Sequence, residues 1–193
     1  MLPVVLCGGY STRMGEDKGL MKWNDKPMAS ISLSLLQRQF HLVPSISIRP
    51  AQQEFYKKVF PEIELITDDE NLFLGGPLKG ILSVHKRHPN KNLFVLACDM
   101  PLISLEILQK INRIYESHQE KDIVICTYQD HIEPLCGVYS FKGLERIFHD
   151  VQSAQLTTFS MIHAIQSMDT LLIDIDEEEH NAFLNLNRTG DIL

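Results

Sequence analysis

The residues with the plainest chemistry lie between positions 2 and 18, LPVVLCGGYSTRMGEDK. An apolar run ending in Leu6 and Cys7 breaks into Gly8 and Gly9, and Arg13 and Lys18 follow within ten residues. This reads as a strand feeding a loop that grips phosphate. Glycine reaches backbone angles closed to other residues and lets main-chain N–H groups approach an anion, while Arg13 supplies a planar, forked cation and Lys18 a point cation. The loop is no Walker motif, because no Gly-Lys-Ser/Thr closes it, and it lacks the third glycine of a dinucleotide fingerprint.

A second centre is Asp99, which follows the apolar run 93–98 and precedes Pro101. Open parallel sheets bind ligands at the carboxyl ends of their strands. A hard carboxylate there suits Mg²⁺, which takes one or two protein carboxylates together with phosphate oxygens and water. Taken alone, an Asp before a turn is more often a turn former or helix cap; combined with the glycine loop, the balance shifts to the metal. Asp68 ends the run 63–66 in the same topological way, with Asp69 beside it as the other register. Gly75-Gly76-Pro77-Leu78-Lys79-Gly80 is a glycine-rich approach to a helix N-terminus, a setting that attracts phosphate, although a plain turn before a helix would use some of the same residues.

The elements that must position these groups follow from the apolar pattern. Runs rich in Val, Ile and Leu at 2–7, 43–48, 63–66, 93–98 and 123–127 predict strands, and helical patterns separate most of them. Helices are expected at 27–40, opened by a proline, at 51–59, at 78–88 and at 104–118, where Ser104 is a good cap. Alternating strands and helices predict an α/β fold: a Rossmann-like, doubly wound, mostly parallel sheet with a mixed C-terminal half, all within one domain spanning 1–193. In that second half 132–141 reads as a returning or edge strand. Residues 165–175 are expected to pair antiparallel before the chain returns at 183–186, and the acidic run 174–179 reads as a solvated turn.

Composition narrows the partners. Eighteen Lys plus Arg against twenty-five Asp plus Glu give a net charge of −7, which argues against the broad basic face of a nucleic-acid binder. The four cysteines show no metal or disulfide spacing and read as small buried hydrophobes; the eight histidines are scattered singly. Apolar runs are too short for a bilayer and no secretory signal is read, so a cytoplasmic protein is expected.

The match at Leu6, Gly8, Gly9, Ser11, Arg13, Met14, Gly15, Asp17 and Lys18 resembles the opening of the molybdenum cofactor guanylyltransferases, with Cys7 in place of the usual Ala. Gly76-Pro77-Leu78-Lys79-Gly80-Ile81 is similar to the block that separates the guanine users from related cytidylyltransferases, with Lys79 in place of a small residue. Cys98-Asp99-Met100-Pro101 resembles the family's metal motif. Glu133-Pro134-Leu135-Cys136-Gly137-Val138-Tyr139 looks like its acceptor-side strand. Asn185-Leu186-Asn187 resembles an Asn-x-Asn-Thr-Pro block, here continued by Arg188-Thr189, and no Asn stands at 47–49, where relatives contact the nucleotide. The resemblance implies a nucleotide-diphospho-sugar transferase-like fold. It implies transfer of GMP from GTP to the terminal phosphate of molybdopterin with release of pyrophosphate, Mg²⁺ on Asp99, and Arg13 and Lys18 on the triphosphate. The nucleoside would be seated by Leu6, Cys7, Gly8, Gly9 and Asp68, and other proteins would deliver the cofactor and accept the product. The rivals are a cytidylyltransferase or sugar-phosphate nucleotidyltransferase of the same fold and a non-enzymatic nucleotide or cofactor carrier.

Overall fold

A computed structural model describes residues 1–9, 17–153 and 160–184. In chain order the elements are β1 (Leu2–Leu6), β2 (Lys22–Trp23), β3 (Lys26–Pro27), α1 (Met28–Phe40), β4 (Ser45–Ile48), a single 3-10 turn Pro50–Gln52, α2 (Gln53–Val59), β5 (Leu65–Thr67), α3 (Pro77–Arg87) and β6 (Leu93–Ala97). Then come α4 (Leu105–Ser117), β7 (Ile123–Tyr128), β8 (His131–Tyr139), α5 (Phe141–Gln152), α6 (Met161–Gln166), β9 (Thr170–Asp174) and α7 (Glu177–Asn181).

Seven strands form one sheet in the order β5-β4-β1-β6-β8-β7-β9. All run parallel except β8, which is antiparallel to both β6 and β7. The strands are apolar on both sides because both faces are covered. Side-chain alternation sorts the core: Val5 and Cys7 point to the face packed by Leu33 and Leu36 of α1, Tyr56 of α2 and Leu108 and Ile111 of α4. Val4 and Leu6 point to the opposite face, packed by Leu78, Ile81 and Leu82 of α3, Leu144 and Ile147 of α5 and Ile165 of α6. This is the doubly wound, mostly parallel arrangement expected, with the mixed half where β8 intervenes.

Three expectations are corrected. Residues 132–141 do return, but not as an edge strand: β8 lies inside the sheet, joined to β7 by Gln129 and Asp130, both at positive φ (45° and 65°), the geometry of a tight hairpin. The close fit is visible at Gly137, where a Cβ would run into Ile125 Cγ2 and stand 2.5 Å from the Val124 carbonyl. The segment 165–175 does not pair antiparallel, because α5 and α6 carry the chain back across the sheet and β9 runs parallel to β7. The acidic run is no plain turn either. Asp176 and Glu179 close a capping box on α7, and Glu179 receives Lys110 Nζ from α4 at 2.8 Å. Elsewhere the boundaries move by a residue or two; Ser104 caps α4 as expected, accepting from Ile107 N at 3.4 Å. At 183–186, Phe183 is buried in the core, and 185–186 lie outside the described residues.

Candidate active site

The carboxyl ends of β1, β4, β5 and β6 open into a cavity of about 660 Å³. Leu6, Cys7, Gly8, Gly9, Lys18, Asp68 and Asp99 all line it, so the structure brings together every expected site residue that it describes. Arg13, Asn185 and Asn187 lie outside the described residues.

At the β6 end, Lys18 Nζ donates to Asp99 Oδ2 at 2.9 Å, and both side chains are mostly buried, 24% and 17% exposed. At the β5 end, Asp68 turns into the cavity and its Oδ1 is buried without a hydrogen-bond partner. Burial pushes the Asp68 carboxyl up to about 6, with Lys79 and then Arg49 pulling against the shift. Of the two adjacent aspartates it is Asp68 that lines the cavity. Asp69 faces away from the cavity, accepts from Asn71 N at 2.9 Å and pairs with Lys86, which holds its carboxyl below the usual range.

The block at 75–81 divides its labour by residue. Gly76 takes φ 69°, which favours glycine, and starts α3 with no side-chain cap, so that the helix begins at the cavity wall. Leu78 and Ile81 drop into the core. Gly80 sits so close to β4 that a Cβ would stand 2.8 Å from Ser47 Oγ and 3.5 Å from Asp68 Oδ1. Lys79 lines the cavity and acts electrostatically on Asp68. Ser47 and Arg49, which hold the place of the family's Asn, also line it.

Sequence reasoning missed two residues behind the glycine loop. Buried Gln52 donates from Nε2 to the Cys7 carbonyl at 2.9 Å and accepts at Oε1 from Arg49 N at 2.6 Å. Buried Tyr56 donates to Asp17 Oδ1 at 2.6 Å. Neither residue type at its position signals a site; the only hint is their placement just after a strand that ends at the cavity. Cys7 and Cys98 stand side by side just past the ends of β1 and β6, and their mutual hydrogen bond together with burial holds the Cys98 thiol well above its ordinary range. It is a poor nucleophile, as a packing residue would be.

For a metal the fit rests on the donor set. Among the described residues no three His, Cys, Asp or Glu side chains converge as a closed protein cage. A partly accessible carboxylate at the mouth of a cavity lined by cations is instead the kind of site that shares a divalent ion with phosphate oxygens, and Asp99 fits that role.

A glycine loop, a Lys–Asp pair and an uncapped helix start are gathered at the carboxyl edge of a doubly wound sheet, a candidate site for a nucleotidyltransferase. The family model described as "MobA-like NTP transferase domain" matches residues 3–159, and the chain belongs to that family. Among its relatives is a "Probable molybdenum cofactor guanylyltransferase" of Natranaerobius thermophilus, 31% identical over 195 residues covering 98% of this chain and 91% of the relative. Another protein of that name, from Geobacillus sp., is 30% identical over 99% of this chain and 95% of its own length. In structure the chain is similar to molybdopterin-guanine dinucleotide biosynthesis protein A from Archaeoglobus fulgidus, with TM-score 0.78 and 19% identity over 100% of this chain and 95% of that one. It also shares its fold with a 4-diphosphocytidyl-2C-methyl-D-erythritol synthase from Anaerococcus prevotii, with TM-score 0.69 and 9% identity over 98% and 91%.

Proposed function

We propose that this chain, acting as one nucleotidyltransferase domain, transfers GMP from GTP to the terminal phosphate of molybdopterin and releases pyrophosphate, with Mg²⁺ as the metal. The observation that carries the reading is the separation of two kinds of group in one cavity. Asp68 stands at the end of β5 and the Lys18–Asp99 pair at the end of β6, three strand spacings away. At about 4.8 Å per strand this is roughly 14 Å, the reach of an extended nucleotide.

Asp68 suits the base end. Guanine offers two adjacent donors, N1–H and the 2-amino group, to a carboxylate with a buried, unpaired oxygen. Cytosine presents acceptors at the corresponding place and would leave Asp68 unsatisfied. The backbone from Leu6 to Gly9 passes close enough to seat the nucleoside, since Gly8 brings its Cα side within reach of Asp68 Oδ2.

At the phosphate end, Lys18 leaves its pairing with Asp99 for triphosphate oxygens, and Arg13 grips the departing pyrophosphate with its forked guanidinium. Asp99 would hold the divalent ion, whose chemistry is to neutralise charge on phosphate oxygens. In the transfer, an oxygen of the acceptor's terminal phosphate attacks the α-phosphorus of GTP. The bond from that phosphorus to the bridging oxygen breaks, and pyrophosphate leaves with the electron pair. The attacking phosphate is largely ionised at neutral pH, so no side chain need remove a proton. The protein's work is to bring two polyanions together in line.

No helix of the described residues is long and apolar enough to cross a membrane. The four buried free thiols support a reducing, cytoplasmic setting. Proteins that deliver molybdopterin and receive the dinucleotide are the partners this reading requires. Its test is pyrophosphate release with molybdopterin and Mg²⁺, comparing GTP with CTP. A kcat/KM for CTP equal to or above that for GTP would overturn the guanine assignment, and no turnover with either would favour a carrier.

A further inference from the structure

We infer that Asp17 is a positioning residue for Lys18, clamped from behind by Tyr56 and Gln52, so that α2 and the 3-10 turn before it set where the phosphate-binding cation stands. The inference rests on the assignment of Lys18 to the triphosphate. Lys18 is not on a strand or helix, yet its ammonium must reach across the end of β1 to that of β6. Something other than regular backbone must fix it.

The Asp17 carboxylate supplies that anchor. Its Oδ1 accepts from Tyr56 Oη at 2.6 Å and from Gly19 N at 3.0 Å, and its Oδ2 accepts from Gln52 Nε2. Lys18 is thus bracketed: Asp17 is tied to α2 on one side, and Gly19 is tied to α1 on the other, its carbonyl accepting from Ala29 N at 3.0 Å. Gly19 itself is shaped to the clamp, since a Cβ there would run into Tyr56 Oη and stand 3.1 Å from Cys7 Sγ. Burial also holds the Tyr56 phenol far above its ordinary range, so it remains a donor throughout the working pH range.

Gln52 extends the clamp to the rest of the site. The amide that reaches Asp17 also holds the Cys7 carbonyl in the glycine loop, and its oxygen holds Arg49 N at the end of β4. One buried side chain therefore fixes the spacing between the loop, the β4 end and the segment bearing Lys18. A carboxylate fed by three donors is pinned in both position and rotation.

The test is a double-mutant cycle between Tyr56→Phe and Lys18→Ala. Tyr56→Phe keeps the ring in the core and removes one hydroxyl. Mg²⁺-dependent binding is titrated with whichever of the four nucleoside triphosphates the parent binds best, so that a failure of the guanine assignment leaves the cycle usable. In the parent background Tyr56→Phe is expected to weaken binding about tenfold, the scale of one hydrogen bond to a charged group. In the Lys18→Ala background the same change is expected to cost less than twofold, because the group it positions is gone. A packing role for Tyr56 would give the same loss in both backgrounds and overturn the inference, as would unchanged binding in the parent background. Asp17→Asn, which keeps the shape but offers donors where donors already point, is run through the same cycle. It decides the matter if thermal unfolding shows Tyr56→Phe to be misfolded. Binding of none of the four triphosphates by the parent would sink both this inference and the proposed function.

Discussion

Replacing Asp68 with Asn should raise stability and destroy base recognition at the same time. In the free protein the carboxyl is half-buried with one oxygen unpaired, and burial lifts it from 3.8 to about 6. A rise of that size corresponds to about 3 kcal/mol for a fully buried group, at about 1.36 kcal/mol for each tenfold change in proton affinity. Because Asp68 keeps part of its solvent, about 1 kcal/mol is the reasonable expectation. A carboxyl whose folded value lies above its unfolded one gives stability that is complete below about 4 and lost as pH rises through about 6. The parent therefore carries the cost above pH 6, and Asp68→Asn lacks it. Thermal unfolding without nucleotide at pH 7.5 should place the variant about 2–4 °C above the parent, the shift expected per kcal/mol for a chain of this size. The gap should narrow as pH falls from 6 toward 4. In the same preparation GTP binding should weaken by roughly 10²-fold, because a guanine donor then meets an amide instead of an ionised acceptor. A variant less stable than the parent at pH 7.5, or a gap that does not change with pH, would refute the desolvation argument. Undiminished GTP binding would remove Asp68 from base recognition.

Four further outcomes are expected. Asp99→Asn should lower turnover by 10²-fold or more at saturating Mg²⁺ while leaving the unfolding temperature close to the parent's, checked by pyrophosphate release beside thermal unfolding. Arg13→Lys should slow turnover more than it weakens GTP binding, since the charge survives and the forked grip is lost; equal kcat would put Arg13 outside the transition-state contacts. Gly80→Ala should force α3 away from Ser47, destabilise by about 1–3 kcal/mol in urea titration and weaken GTP binding, and a neutral result would show that the helix gives way freely. Lys79→Ala removes the larger of the two cationic influences holding Asp68 down, so the pH below which GTP binding fails should move above about 6; an unmoved midpoint would separate Lys79 from Asp68.

The parallel half of the fold is legible because its strands are short apolar runs closed by glycine, proline or aspartate, each followed by an amphipathic helix. The second half hides its topology for a specific reason. A hairpin turn of Gln129 and Asp130 lacks the glycine that usually marks two positive φ values in a row, so nothing in the sequence announces that β8 inserts between β6 and β7. With β8 placed inside, β9 takes the outer edge of β7, and because the chain enters β9 at the edge of the sheet where β8 ends, β9 runs parallel to β7.

At the candidate site, the motif residues that the structure describes line one cavity. The motif does not show what holds them still. Gln52 and Tyr56 act through a backbone carbonyl, a backbone N–H and a carboxylate in three segments far apart in sequence, and a glutamine or tyrosine on a surface-forming helix has no signature for such a task. The one sequence feature that reports the clamp is negative. Gly19 needs no unusual φ and closes no phosphate loop, yet a side chain there would occupy the place of the Tyr56 hydroxyl. Its glycine is a record of space taken by a residue thirty-seven positions later. Such steric vacancies become readable only when the partner that fills them is known, which is why the groups that line the cavity are visible in the sequence and the groups that brace them are not.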